Sequence, residues 1–332
     1  MGIGRASDFR IYNDQFFSGL AETLQQDTSA LRTAGINVVT RALRGDYEQR
    51  SFLKKINGLV SRRDTTSVAA ATDLEMTMDE MVSVKLARKI GPVAQTLDAF
   101  RKAALVFQTD FDPTGAQGYS RYLGGMYAKD IEADMLDTAL LACRVFLENA
   151  ATNANRHVIA ANGTMTSAAL VSTLARMGDA AQRVRAWVMH SKVYFDLVQF
   201  QINPANNGSD LAFQVMGGTA ASLNRPVIVT DSPSLLVTGT PNLYRTIGLV
   251  DGGIEMIESE QQEIVLDTVT GLENLVARMQ GEYAYNLGIK GAKWDIANGG
   301  ANPNAAAIAT ATNWDAVSTS SKDFAGVVCI SG

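Results

Sequence analysis

Few residues in this chain could do acid–base, nucleophilic or metal chemistry. Among 332 residues there are two histidines, His157 and His190, and two cysteines, Cys143 and Cys329. A histidine-based metal centre would have to borrow carboxylates or thiolates, and no His-Glu-x-x-His, Cys-x-x-Cys pair or EF-hand loop occurs. His190 beside Ser191 could act as a base, but the Gly-x-Ser-x-Gly elbow is missing, and a neutral capping or packing role is the simpler reading. Asp110 and Asp112, ahead of Pro113-Thr114-Gly115, could hold a cation or form an ordinary polar turn. No phosphate-cradling glycine loop is present, and Cys143 reads as core. Two glycosylation-like strings beginning at Asn162 and Asn207, and the tripeptide Arg44-Gly45-Asp46, read as chance matches. The residues thus point to no catalytic, cofactor or metal site.

Composition narrows the classes further. The chain is 46% hydrophobic and 19% charged, enough for a sizeable core in one or two domains. No apolar run reaches membrane-spanning length, and the first residues lack a signal-peptide pattern. Two cysteines cannot build a disulfide framework, which fits a reducing cytoplasm. Charge is uneven: residues 1–63 carry +4, residues 64–199 carry −2, and residues 200–332 carry −7. The basic excess lies in Arg41, Arg44, Arg50, Lys54, Lys55, Arg62 and Arg63. That cluster could face nucleic acid, an acidic patch on a neighbouring copy, or simply solvent.

The elements that must position these groups are legible from periodicity. Residues 1–50 carry apolar clusters without a sustained stripe, and either an arm laid against another subunit or packing on the chain's own core would cover them. Phe52, Leu53, Ile56, Leu59 and Val60 have helical spacing. Leu74, Met76 and Met78, then Val82, Val84 and Leu86, alternate with polar residues. Acids on the outbound run (Asp73, Glu75, Asp79, Glu80) and bases on the return (Lys85, Arg88, Lys89) predict a long two-stranded hairpin. Such a hairpin is marginal alone and would need a partner. Residues 117–150 predict a long helix of about 45 Å at 1.5 Å per residue. Thr166 reads as a helix cap with Gly178 as the stop, residues 184–189 as a strand, and Ser191 as the cap of a further helix. Residues 225–231 and 280–290 read as strands. Asp251-Gly252-Gly253 reads as the turn of a hairpin, and residues 324–330 as a sheet edge.

Four strings, in order, carry a resemblance: residues 79–93 (DEMVSVKLARKIGPV), 187–194 (WVMHSKVY), 225–231 (RPVIVTD) and 280–290 (QGEYAYNLGIK). Together with 293–295 (KWD) and 298–303 (NGGANP), they resemble the major capsid proteins of tailed bacteriophages with the Hong Kong 97-type fold. The match runs from about residue 40 to the end. It implies an α+β fold with an N-terminal arm and lead-in helix (1–61), an extended β-hairpin loop (62–94), and a peripheral domain (95–199) with a spine helix near 118–150. An axial domain (200–275) and a return to the peripheral domain with the C-terminal tail (276–332) complete the layout.

The implied function is a structural protein that assembles with itself, as hexamers and pentamers, into an icosahedral shell around double-stranded DNA. Implied partners are a separate scaffolding protein, a portal at one vertex, a decoration protein, and DNA held non-specifically, with no membrane and no cofactor. The implied location is the virion capsid, with the host cytoplasm during assembly. Loop residues Leu74, Glu75, Met76, Asp79, Glu80, Val84, Lys85, Arg88 and Lys89 would make intersubunit contacts. The basic cluster Arg41–Arg63 would line the inner surface or a subunit contact. Some relatives form a Lys–Asn isopeptide bond, but no matching Asn is evident here, so noncovalent assembly is expected. With the loop starting near residue 62, there is no room for a cleaved scaffolding segment. A bacterial encapsulin shell is the alternative in the same fold, and a hydrolase using Asp110, Asp112 and His190 is the alternative outside it.

Overall fold

The computed structural model describes residues 35–40, 45–53, 59–60, 62–63, 65–67, 70, 73–107, 116–149, 154–160, 163–202, 223, 225–318 and 320–332. Residues 1–34 of the predicted arm and lead-in helix (1–61), with Arg41, Arg44, Lys54, Lys55, Asp110 and Asp112, lie outside the described residues. The chain begins with β1 (Ile36–Thr40), β2 (Tyr47–Leu53), β3 (Met78–Thr96), α1 (Leu97–Ala104) and α2 (Ala116–Glu148). There follow β4 (Arg156–Val158), α3 (Ser167–Ala175), β5 (Val184–Met189), α4 (Ser191–Ile202), β6 (Val227–Val229), β7 (Leu236–Val237) and β8 (Leu243–Val250). The last elements are β9 (Ile254–Val269), β10 (Val276–Ile289), β11 (Ala292–Trp294), β12 (Trp314–Ala316) and β13 (Gly326–Ser331).

The strands form two main sheets. One has five strands in the order β1-β9-β10-β3-β2, and the other is built on β4-β13-β8-β5-β6 with β7 alongside β8. The long helix appears where the periodicity placed it: α2 is 33 residues, roughly 50 Å at 1.5 Å per residue. Its buried Ile131, Ala139, Leu140, Cys143 and Phe146 share one core with Val82, Val84, Leu86, Tyr285 and Leu287 of the five-stranded sheet and with Ile247 and Val328 of the other. Polar ties fix that packing. Arg88 Nε lies 3.0 Å from Asp134 Oδ2 of α2, and its Nη2 donates to Thr138 Oγ1 at 2.8 Å. Tyr283 on β10 donates to the same Asp134 oxygen at 3.2 Å. At the far end of α2, Arg245 of β8 donates to both Glu148 oxygens, at 2.8 and 3.3 Å.

Local signals held where they were strong. Thr166 caps α3 by accepting from Ala169 N at 3.2 Å. The strand read over residues 184–189 is β5 itself. Helix α4 starts at Ser191 but takes its side-chain bond from His190, whose Nδ1 accepts from Lys192 N at 3.2 Å.

Four expectations need correction. The helical spacing of Phe52 and Leu53 belongs to a strand, because β2 pairs antiparallel with β3 from Tyr47↔Val84 to Leu53↔Met78. The predicted hairpin between residues 73–78 and 82–89 does not form. Met78–Thr96 is one continuous 19-residue strand, and β2 already occupies its edge from Met78 to Val84. Asp251-Gly252-Gly253 joins the two sheets and does not close a hairpin. Both edges of β8 are taken, by β13 and β5, so β9 pairs with β10 instead. Lastly, β13 is not an edge: it lies between β4 and β8, and all six of its residues are buried. The pairings place β4, β5, β6, β7, β8 and β13 in one sheet and β1, β2, β3, β9 and β10 in the other.

Close backbone approach explains why Gly326 opens β13. A Cβ there would lie 2.0 Å from Gly248 O, a backbone atom that cannot move without breaking the pairing of β8 with β13. Gly326→Ala is expected to cost about 2–4 kcal/mol of folding stability, measured as a lowered denaturant midpoint at unchanged slope. A loss below about 0.5 kcal/mol would show that the strands can part there.

Candidate intersubunit surface

The extended loop grows from the five-stranded sheet on two unequal legs. Its outbound leg is β2 and its return leg is the first part of β3, with residues 54–77 between them. Strand β3 alternates: Val82, Val84 and Leu86 are buried under α2, while the intervening side chains face the other way. On that opposite face Glu48, Ser83, Gly288 and Glu255 line up across four strands. The small residues in the middle leave a trough, and Arg50 reaches along it. Its Nη1 donates to Glu255 Oε2 at 2.8 Å and its Nε to Glu48 Oε1 at 3.1 Å. These hydrogen bonds, Glu48 first, hold the guanidinium above its ordinary pKa against the opposing effect of burial. Lys85 pairs with Glu260 across the same face, and Lys293 reaches Glu80 at 2.7 Å.

The predicted contact residues therefore divide. Lys85, Arg88, Glu80 and Arg50 are engaged within the chain. Val84 is fully buried in its own core, which corrects its reading as a contact residue. Asp79 is partly buried and accepts from Glu80 N at 2.8 Å. Leu74, Glu75, Met76 and Lys89 are exposed, as are Arg62 and Arg63. The loop carries a run of uncovered apolar side chains: Leu53, Leu59, Val60, Leu74, Met76 and Met78, with Val60 95% exposed. Scattered exposed apolar residues are ordinary, but six within residues 53–78 make this segment the candidate interaction surface.

Strand β2 and the acceptors Glu255, Asp134 and Glu260 were not singled out by sequence reasoning. The alternation of charge along β3 was the one signal, and it named the cations without their partners, which lie far along the chain.

No chemistry assembles elsewhere among the described residues. Ser191 Oγ and Asp231 Oδ1 both approach the same nitrogen of His190, Nδ1, at 3.5 and 3.6 Å. A relay needs them on opposite ring nitrogens, so this trio cannot pass a proton from serine to carboxylate. Burial pushes the Cys143 thiol up to about 12 and that of Cys329 to about 11, leaving both protonated and unreactive. No cluster of three metal-ligating side chains occurs among the described residues, and no helix there is long and apolar enough to cross a membrane.

Because the Arg50 strap is half exposed, its energetic weight is small. Arg50→Ala is expected to shift the melting temperature by about 2 °C or less, yet to speed amide exchange of Tyr47–Leu53 selectively. Uniformly faster exchange across the sheet would contradict a local anchoring role.

Comparison with known proteins places this geometry. A family model described as Gp13-like, major capsid protein 13-like, matches residues 8–328. No curated protein matches by sequence. The fold is similar to that in the capsid of Myoviridae phage XM1, with 12% identity over 90% of each chain and a TM-score of 0.52. It is similar to a chain of Mycobacterium phage Bobi at 9% identity, covering 93% of this chain and 90% of that one, with a TM-score of 0.53. The head structure of Helicobacter pylori bacteriophage KHP40 matches at 8% identity over 90% of this chain and 88% of that one, with a TM-score of 0.50.

Proposed function

The chain belongs to the major capsid protein 13-like family, and from that premise we propose that its extended loop is the main element by which copies clasp one another in the shell. The protein is a tailed-phage coat protein with the α+β Hong Kong 97-type fold, and its place is the virion capsid. In this reading the five-stranded sheet and α2 form the peripheral domain. The second sheet with α3 and α4 forms the axial domain around the symmetry axes. Hexamers and pentamers close into an icosahedral shell, assembled in the host cytoplasm on a separate scaffolding protein. A portal sits at one vertex, a decoration protein binds outside, and double-stranded DNA is held non-specifically. The work done is assembly rather than catalysis, and the contacts are noncovalent.

The observation that carries the reading is the exposed apolar run on the loop, from Leu53 to Met78. Covering a Leu or Met side chain is worth about 1.5–3 kcal/mol, whereas an exposed ion pair is worth about 0–1 kcal/mol. A shell of many copies repeats that gain at every interface, so apolar cover outweighs charge in its strength.

Leu74→Asp with Met76→Asp tests this directly. The subunit should melt as the wild type does, since neither side chain enters the core, while shells seen by electron microscopy fall at least about tenfold in number. Normal shells from this variant would remove the loop from the assembly contact.

A further inference from the structure

Positive charge gathers at one end of the six-stranded sheet. Arg156 starts β4, Arg176 follows α3, Arg183 and Arg185 flank the start of β5, and Arg225 and Lys322 lie beside them. Bonds between their backbones and side chains show that they share this end. Arg183 Nη1 donates to Lys322 O at 3.3 Å, and Arg225 donates to Val184 O at 2.8 Å and Ala181 O at 3.1 Å. Asn155 Nδ2 donates to Ser321 O and Gly326 O, both at 2.8 Å. Helix α3, which Arg176 follows, packs against β4.

The nearby acids do not balance this charge. Asp179 is taken by Lys322, and Asp323 accepts from Ser318. None of the five arginines has a carboxylate partner among the described residues, whereas Arg50, Arg88 and Arg245 all do. Arg183 and Arg225 are held by backbone carbonyls, which orient the guanidiniums without neutralising them. Gathered like charges repel unless an anion meets them.

The chain itself carries the complement. Asp73, Leu74, Glu75 and Met76 run as an exposed segment without helix or strand, alternating acid with apolar, and the two carboxylates have no basic partner among the described residues. We propose that the arginine-rich end of the six-stranded sheet is the docking surface for residues 73–76 of the extended loop of a second copy. Asp73 and Glu75 would meet guanidiniums in charge-assisted hydrogen bonds, for which arginine's planar fork is suited. Charge then sets the register of the contact. The inference rests on the coat-protein reading and adds the surface that the loop grips.

The test uses shells made by expressing the chain with the other head proteins of its phage. Arg176→Glu with Arg185→Glu is expected to lower shell yield about tenfold or more while leaving the melting of the free subunit unchanged. Adding Asp73→Lys and Glu75→Lys should restore the yield. Separately, Glu75→Cys with Arg176→Cys should give a ladder of disulfide-linked oligomers on oxidation of shells, because the native thiols are buried. If the charge reversal prevents folding, the ladder alone decides. Normal yield in the reversed variant, or the absence of a ladder in intact shells, overturns the proposal. Normal shell numbers with less packaged DNA would assign the patch to phosphates and overturn it equally. Failure of the unaltered chain to form shells would instead remove the coat-protein reading.

Discussion

The whole arrangement depends on one strand whose two faces answer to different constraints. Val82, Val84 and Leu86 of β3 must stay buried under the long helix, and a one-residue slip would turn all three to solvent. That fixes the register of β3 against β2 on one side and β10 on the other. With the register fixed, β2 fills the edge of β3 from Met78 to Val84, and residues 73–77 just before it carry no helix or strand.

The charges near the loop serve its own base. Arg50 reaches Glu48 and Glu255, Lys85 reaches Glu260, and Lys293 reaches Glu80, each bracing the legs against the sheet. Exposed pairs of this kind contribute little stability individually. Their value is geometric, since they hold the base of the loop at one angle. Among the described residues between the legs, the exposed groups include Leu59, Val60, Leu74 and Met76, the acids Asp73 and Glu75 and the bases Arg62 and Arg63, and these are the groups that association between copies can use.

The two sheets share a core yet are joined by very few peptide crossings. Asp251-Gly252-Gly253 is one, and it is clamped on both sides. Val250 N donates to Ala325 O at 2.9 Å, and Lys290 N donates to Gly253 O at 2.9 Å. Arg245 and Glu148 tie β8 to the end of the long helix, with the Arg245 side chain only 7% exposed. Breaking such a pair strands a charge away from water, so the tie is harder to lose than the surface straps. Relatives at 9–12% identity keep the fold. That is understandable if burial pattern and connection geometry, rather than particular side chains, specify it.

Legibility followed the range of the interactions. The long helix, the cap at Thr166 and the strand at residues 184–189 could be read from sequence, because each is decided within a few residues. The charged residues of the loop were visible, but not that Lys85, Arg88 and Glu80 are used inside the chain. Their partners Glu260, Asp134 and Lys293 lie between about fifty and two hundred positions away. The same distance hid the strand character of residues 47–53, whose short apolar run suits a helix or a strand equally until β3 lies beside it. It also hid the interior place of β13. By itself the sequence determined which residues seek burial and which local elements they can form. Only the tertiary structure decided which edges were already occupied, and hence which apolar and charged groups were left for other copies, because edge occupancy depends on every strand at once.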